Sequence, residues 1–132
     1  MEKKPKILLI DDDIDFVEST RTVLESEPYE VIVAYEGDEG LRKAREEKPD
    51  LVLLDIIMPV KDGFTAAEQF KKYPELSQIP VLMLTSFTAR RAGTGIPVGR
   101  GFELQAEDYI EKPIRPEELL AKVEEHLKRI DL

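Results

Sequence analysis

Ile7-Leu8-Leu9-Ile10-Asp11-Asp12-Asp13 sets four aliphatic residues directly against three carboxylates. An apolar run this short, cut off by turn-forming acids, is a strand buried on both faces rather than a helix. Three more runs end abruptly at polar groups: Leu51-Val52-Leu53-Leu54 at Asp55, Val81-Leu82-Met83-Leu84 at Thr85, and Tyr109-Ile110 near Lys112. Strands buried on both faces belong to parallel sheets with helices packed above and below.

The stretches between the runs supply those helices. Phe16, Val17, Thr20, Val23 and Leu24 recur at helical spacing over about Asp15 to Ser26. After a second strand at Val31-Ile32-Val33, a helix from about Gly37 to Glu47 turns Leu41 and Ala44 inward and stops at Pro49. A third helix follows Gly63 and reaches about Tyr73, carrying Phe64, Ala67 and Phe70. The last spans about Glu117 to Arg129, with Leu119, Leu120, Val123 and Leu127 on its apolar side and Pro116 in its first turn. Arg90 to Gly101 holds four glycines and Pro97, too many breakers for a regular helix, so a loop is expected there, with a short helix resuming around Phe102 to Ala106.

Composition bounds what such a fold can do. A chain of 132 residues suffices for one domain, residues 1–132, burying about two thirds of its unfolded surface. No apolar stretch approaches the roughly 20 residues that span a bilayer, and no signal segment opens the chain. A cytoplasmic protein is expected. With 19 basic and 28 acidic residues the net charge is −9, which disfavours attraction to nucleic acid and to anionic membranes, so neither is expected as a direct partner. The absence of cysteine excludes disulfides and thiolate metal sites.

Open parallel sheets bind ligands beyond the carboxyl ends of their strands, where Asp11, Asp12, Asp55 and Thr85 all fall. Carboxylates crowded there repel one another unless a cation is present. A hard divalent ion such as Mg2+ takes oxygen ligands and also binds phosphate oxygens, which points to phosphoryl transfer. Any one aspartate after a strand is more simply a turn former or helix cap, as expected for Asp13 or Asp15. His126, flanked by Glu124, Glu125 and Lys128, is expected to be a solvated surface residue. The glycines of 93–101 match no nucleotide-binding fingerprint.

These motifs resemble the receiver domain of two-component response regulators over essentially the whole chain. The matching stretches are residues 7–13, Asp50 through Pro59 continuing to Asp62-Gly63, Leu84-Thr85, and Asp108-Tyr109-Ile110-Glu111-Lys112-Pro113. The resemblance implies a doubly wound five-stranded parallel sheet of order 2-1-3-4-5 with helices on both faces, and the glycines of 93–101 make its fourth-helix region irregular in this chain. It further implies that Asp55 accepts a phosphoryl group from a sensor histidine kinase or phosphotransfer protein. Asp12, Asp55 and the Ile57 carbonyl would bind Mg2+ directly and Asp11 through water. Lys112 would pair with Asp55 before reaction, Thr85 would donate to a phosphoryl oxygen, and Tyr109 would report the switch to an output surface.

The segment from Thr85 to Lys112 is several residues longer than the family usually has, Ser86 stands where alanine is common, and Gln105-Ala106 replaces the usual Gly-Ala. Phosphorylation is therefore expected to persist while the output face is rebuilt or more mobile. Two alternatives stay open. One is a magnesium-dependent phosphatase with an aspartyl nucleophile, whose alternate-acid spacing Asp11 and Asp13 share, although Asp15 stands where a threonine would be wanted. The other is a degenerate receiver that serves only as an interaction module.

Overall fold

The computed structural model describes residues 4–55, 63–86 and 108–130, except the side chains at 63–67, 85, 86, 129 and 130. The expected loop at 90–101, the short helix at 102–106 and the Ile57 carbonyl lie outside the described residues.

The strands are β1 (Lys6–Ile10), β2 (Glu30–Ala34), β3 (Leu51–Asp55), β4 (Val81–Ser86) and β5 (Asp108–Lys112). All pair in parallel in the order β2-β1-β3-β4-β5, as expected. Their burial explains the continuous apolar runs: Ile7 to Ile10, Leu51 to Leu54 and Val81 to Leu84 are fully buried because helices cover both faces. Leu8, Ile10, Val52, Leu54 and Met83 pack beneath α2 (Gly37–Glu47) and α3 (Gly63–Lys72), meeting Leu41, Ala44 and Phe70. On the other face Ile7, Leu9, Leu53, Leu84 and Ile110 pack against Val17 and Leu24 of α1 (Ile14–Glu25) and Leu119, Val123 and Leu127 of α4 (Pro116–Ile130).

Pairing lengthens two strands beyond their apolar cores. Thr85 and Ser86 stay in the ladder opposite Glu111 and Lys112, so Thr85 lies inside β4 and Lys112 is the last residue of β5. Ladder hydrogen bonds are indifferent to side-chain polarity, which is why hydropathy alone ended both strands early.

Helix starts follow local chemistry. Asp13 caps α1, its Oδ1 accepting the Phe16 amide at 3.1 Å, which settles the choice between Asp13 and Asp15. Gly40 lets α2 lie close to the sheet, since a methyl group at that position would collide with the buried Ile10 side chain, one residue before Asp11. Gly40→Ala should therefore destabilise the fold, the overpacking cost of about 1–3 kcal/mol outweighing the roughly 1 kcal/mol gained from helix propensity, as read from the urea midpoint.

Candidate functional site

Register brings the polar strand ends level. Ile10 pairs with Leu54, so Asp11 and Asp55 emerge side by side from neighbouring strands, and Asp55 pairs in turn with Leu84, one residue before Thr85. Asp12 follows on the loop into α1. Carboxylate oxygens of Asp11, Asp12 and Asp55 all lie within 4.8 Å of one another. Asp11 is fully buried and Asp55 is 6% exposed, whereas Asp12 faces solvent.

Lys112 enters from the far edge of the sheet. Its Nζ donates to Asp11 Oδ2 at 2.8 Å and stands 3.5 Å from Asp55 Oδ1. The shorter pairing is thus with Asp11, while the resemblance stressed Asp55. The second oxygen of Asp11 accepts the Asp13 amide at 3.0 Å. On another side the Lys112 ammonium lies 4.1 Å from the centre of the Phe16 ring.

Burial pushes the Asp11 carboxyl above its ordinary value, more strongly than the Lys112 and Asp13 hydrogen bonds pull it down. Burial also acts to lower the Lys112 pKa, but the hydrogen bond to Asp11 and the charges of Asp55 and Asp11 outweigh it and hold the ammonium above its usual range. The pocket therefore keeps its cation charged while one of its acids resists ionisation. Three hard oxygen donors with one exposed side suit Mg2+, which favours carboxylates and retains waters.

Ile57 lies outside the described residues. Thr85 is the penultimate residue of β4, at the carboxyl end of the sheet, with its side chain not described. Tyr109 pairs with Met83 and is half-buried against the cluster under α2 and α3.

His126 requires a correction. It is 3% exposed rather than solvated, and its Nε2 lies 3.0 Å from Asp108 Oδ2. It falls three residues after Val123 and seven after Leu119, on the apolar stripe of α4; the charged sequence neighbours point elsewhere around the helix. Lys122 Nζ donates to both Asp108 oxygens at 3.1 Å, so the two helix residues clamp the start of β5, at the end of the sheet opposite Lys112. Asp108, Glu125 and His126 also stand close enough together to hold a metal ion, but the Lys122 ammonium already compensates Asp108.

An all-parallel sheet of this order with an acid-lined, lysine-bridged carboxyl edge is the architecture of response regulators. A solved structure described as a response regulator from Chloroflexus aurantiacus superposes with a TM-score of 0.84 at 33% identity, covering 96% of this chain and 99% of that one. The chain belongs to the response regulator receiver domain family, which matches residues 7–124. It is 37% identical over 127 residues to the alkaline phosphatase synthesis transcriptional regulatory protein PhoP of Bacillus subtilis, covering 96% of this chain and 50% of PhoP. It is 38% identical to the DNA-binding dual master transcriptional regulator RpaA of Synechocystis, covering 96% and 51%. The chain thus spans about half the length of these curated relatives.

Those relatives overturn the expectation that nucleic acid has no place among the partners, because RpaA is named as DNA-binding and PhoP as a transcriptional regulator. The charge of −9 describes the surface of these 132 residues and says nothing of what a regulator twice as long contacts. Among the described residues no helix is long and apolar enough to cross a membrane.

The clamp on β5 gives a pH test. Burial tends to raise the Asp108 pKa, but hydrogen bonds from His126, the Tyr109 amide and Lys122 prevail and hold it below the ordinary value. A depressed folded pKa contributes stability that is complete above the unfolded value and is lost as pH falls through the folded one. Wild type should exceed Asp108→Asn by about 1–3 kcal/mol at neutral pH, with the gap closing as pH drops below about 4 in urea titrations.

Proposed function

We propose that residues 1–132 form one receiver domain that takes a phosphoryl group onto Asp55 from the phosphohistidine of a sensor kinase or phosphotransfer protein. The observation that carries this reading is the Lys112 ammonium held between two buried carboxylates at the ends of β1 and β3. A carboxylate oxygen of Asp55 attacks phosphorus, forming the O–P bond of an acyl phosphate. The P–N bond breaks and its electron pair stays on the imidazole of the donor. Lys112, 3.5 Å from Asp55, is placed to follow the phosphoryl oxygens as charge moves onto them, exchanging its Asp11 contact for one with the new anion.

Asp11, Asp12 and Asp55, with the Ile57 carbonyl, would hold Mg2+, which when bound offsets charge on the nucleophile and on the incoming phosphoryl group. Thr85, inside β4 one residue beyond the register partner of Asp55, would donate its hydroxyl to a further phosphoryl oxygen. These contacts favour the phosphorylated state, and a modification shifts a conformational balance only through such differences. Tyr109, next to Asp108 on the edge strand, is the residue through which this reading passes the change to an output surface.

The phosphatase alternative loses ground because Asp13 is committed to capping α1 and its Oδ1 already takes the Phe16 amide. The names of the relatives favour transcriptional output.

Incubation with phosphoramidate and magnesium chloride should add one phosphoryl group by intact mass, and Asp55→Asn or removal of the metal with EDTA should abolish the gain. Lys112→Ala should slow it by about 100-fold, the loss typical of one preorganised electrostatic donor. An unmodified wild-type protein, or a gain that persists in Asp55→Asn, would contradict the assignment.

A further inference from the structure

Lys112 reaches the acids on a flexible four-carbon stem from the end of an edge strand, and its placement depends on what surrounds the ammonium. Among the described residues three groups surround it: Asp11 at 2.8 Å, Asp55 at 3.5 Å and the Phe16 ring at 4.1 Å. The two carboxylates belong to the acid set that would hold a cation, and Asp55 gives up its free charge when it becomes an acyl phosphate. Both are therefore drawn away from Lys112 during the reaction it must serve. The ring offers no oxygen ligand, so neither a cation nor the phosphoryl group draws it away. Its position is fixed from the same loop that carries the acids: Asp11 Oδ1 takes the Asp13 amide, and Asp13 Oδ1 takes the Phe16 amide. The loop that positions the carboxylates thereby also positions an aromatic face under the ammonium.

We propose that Phe16 is a positioning residue for phosphoryl transfer, holding the Lys112 ammonium over the Asp55 carboxylate through a cation–π contact while the acids are engaged elsewhere. The inference rests on the receiver reading above. It assigns Phe16 a role beyond core packing, since the ring is only half-buried at the margin of the cluster under α1 and α4. The attraction comes from the negative face of the ring and is strongest where the cation is partly desolvated, as Lys112 is with its side chain 20% exposed.

The test separates the electrostatics of the ring from its bulk. Phe16 is replaced site-specifically by progressively fluorinated phenylalanines, which keep the ring's shape while weakening its negative face, and by Phe16→Tyr and Phe16→Leu. With phosphoramidate as donor, the limiting phosphorylation rate should fall stepwise along the fluorinated series. Phe16→Leu should be about twofold to thirtyfold slower than wild type, the span of such contacts, and Phe16→Tyr close to wild type. Magnesium affinity, read by NMR titration of the unphosphorylated protein, and the urea midpoint should stay constant along the fluorinated series. A rate independent of fluorination in a protein that does gain a phosphoryl group would overturn the role of Phe16 and leave the receiver reading intact. Magnesium affinity or stability falling in step with the rate would likewise overturn it, by showing that the ring only supports the acid loop. A wild-type protein that gains no phosphoryl group would overturn the receiver reading, and the role of Phe16 with it.

Discussion

Two carboxylates are taken out of water side by side, with a third at the rim, and the fold has to accommodate their repulsion. At about 4 Å a pair of like charges costs about 4 kcal/mol with an effective dielectric near 20, and desolvation adds to that. The Lys112 ammonium offsets part of the cost through Asp11 and Asp55. Burial is the main reason that Asp11 resists ionisation. Among the described residues, one positive charge against three acids leaves the fully ionised pocket two charges negative, a donor set that suits a divalent cation. A pocket under that tension responds strongly to any added positive or phosphoryl charge, as a switch must.

The sheet makes the arrangement possible. Its three central strands, β1, β3 and β4, are buried on both faces, so their register is pinned by side chains that cannot slip without exposing a whole apolar row. That register sets Asp11 level with Asp55 and delivers Lys112 from the opposite edge. The other end of β5 is fastened to α4 by the clamp of His126 and Lys122 on Asp108, so the strand carrying both Tyr109 and Lys112 is tied down at its start and ends in the site.

Much of this was legible in the sequence. Ile7 to Asp13 and Leu51 to Asp55 announce buried parallel strands and the acids at their ends, because hydrophobic run length and the abrupt polar stop are local properties. The acid cluster and Lys112 could be matched to the receiver family because its motifs are compact. What escaped depends on three-dimensional placement. His126 looked solvated from its neighbours in the chain, yet the helical period puts it beside Val123 on the inner face. Phe16 was recognised as a core-facing residue, but that its ring would meet an ammonium from residue 112 follows only from the packing of α1 beside the sheet's carboxyl edge. The closer pairing of Lys112 with Asp11 than with Asp55 is likewise a matter of distances that no motif contains. The net charge misled on nucleic acid because it describes these 132 residues, while the relatives they match are about twice as long.

If the acids at the strand ends form one cation-dependent site, folding stability must depend on magnesium. Binding to the folded state alone should raise the unfolding free energy with the logarithm of magnesium concentration, reaching about 2.7 kcal/mol at one hundred times the dissociation constant. Asp12→Ala, which alters an exposed side chain and leaves the core intact, should largely remove that dependence. Stability that does not change with magnesium, or that rises equally in Asp12→Ala, would contradict the account.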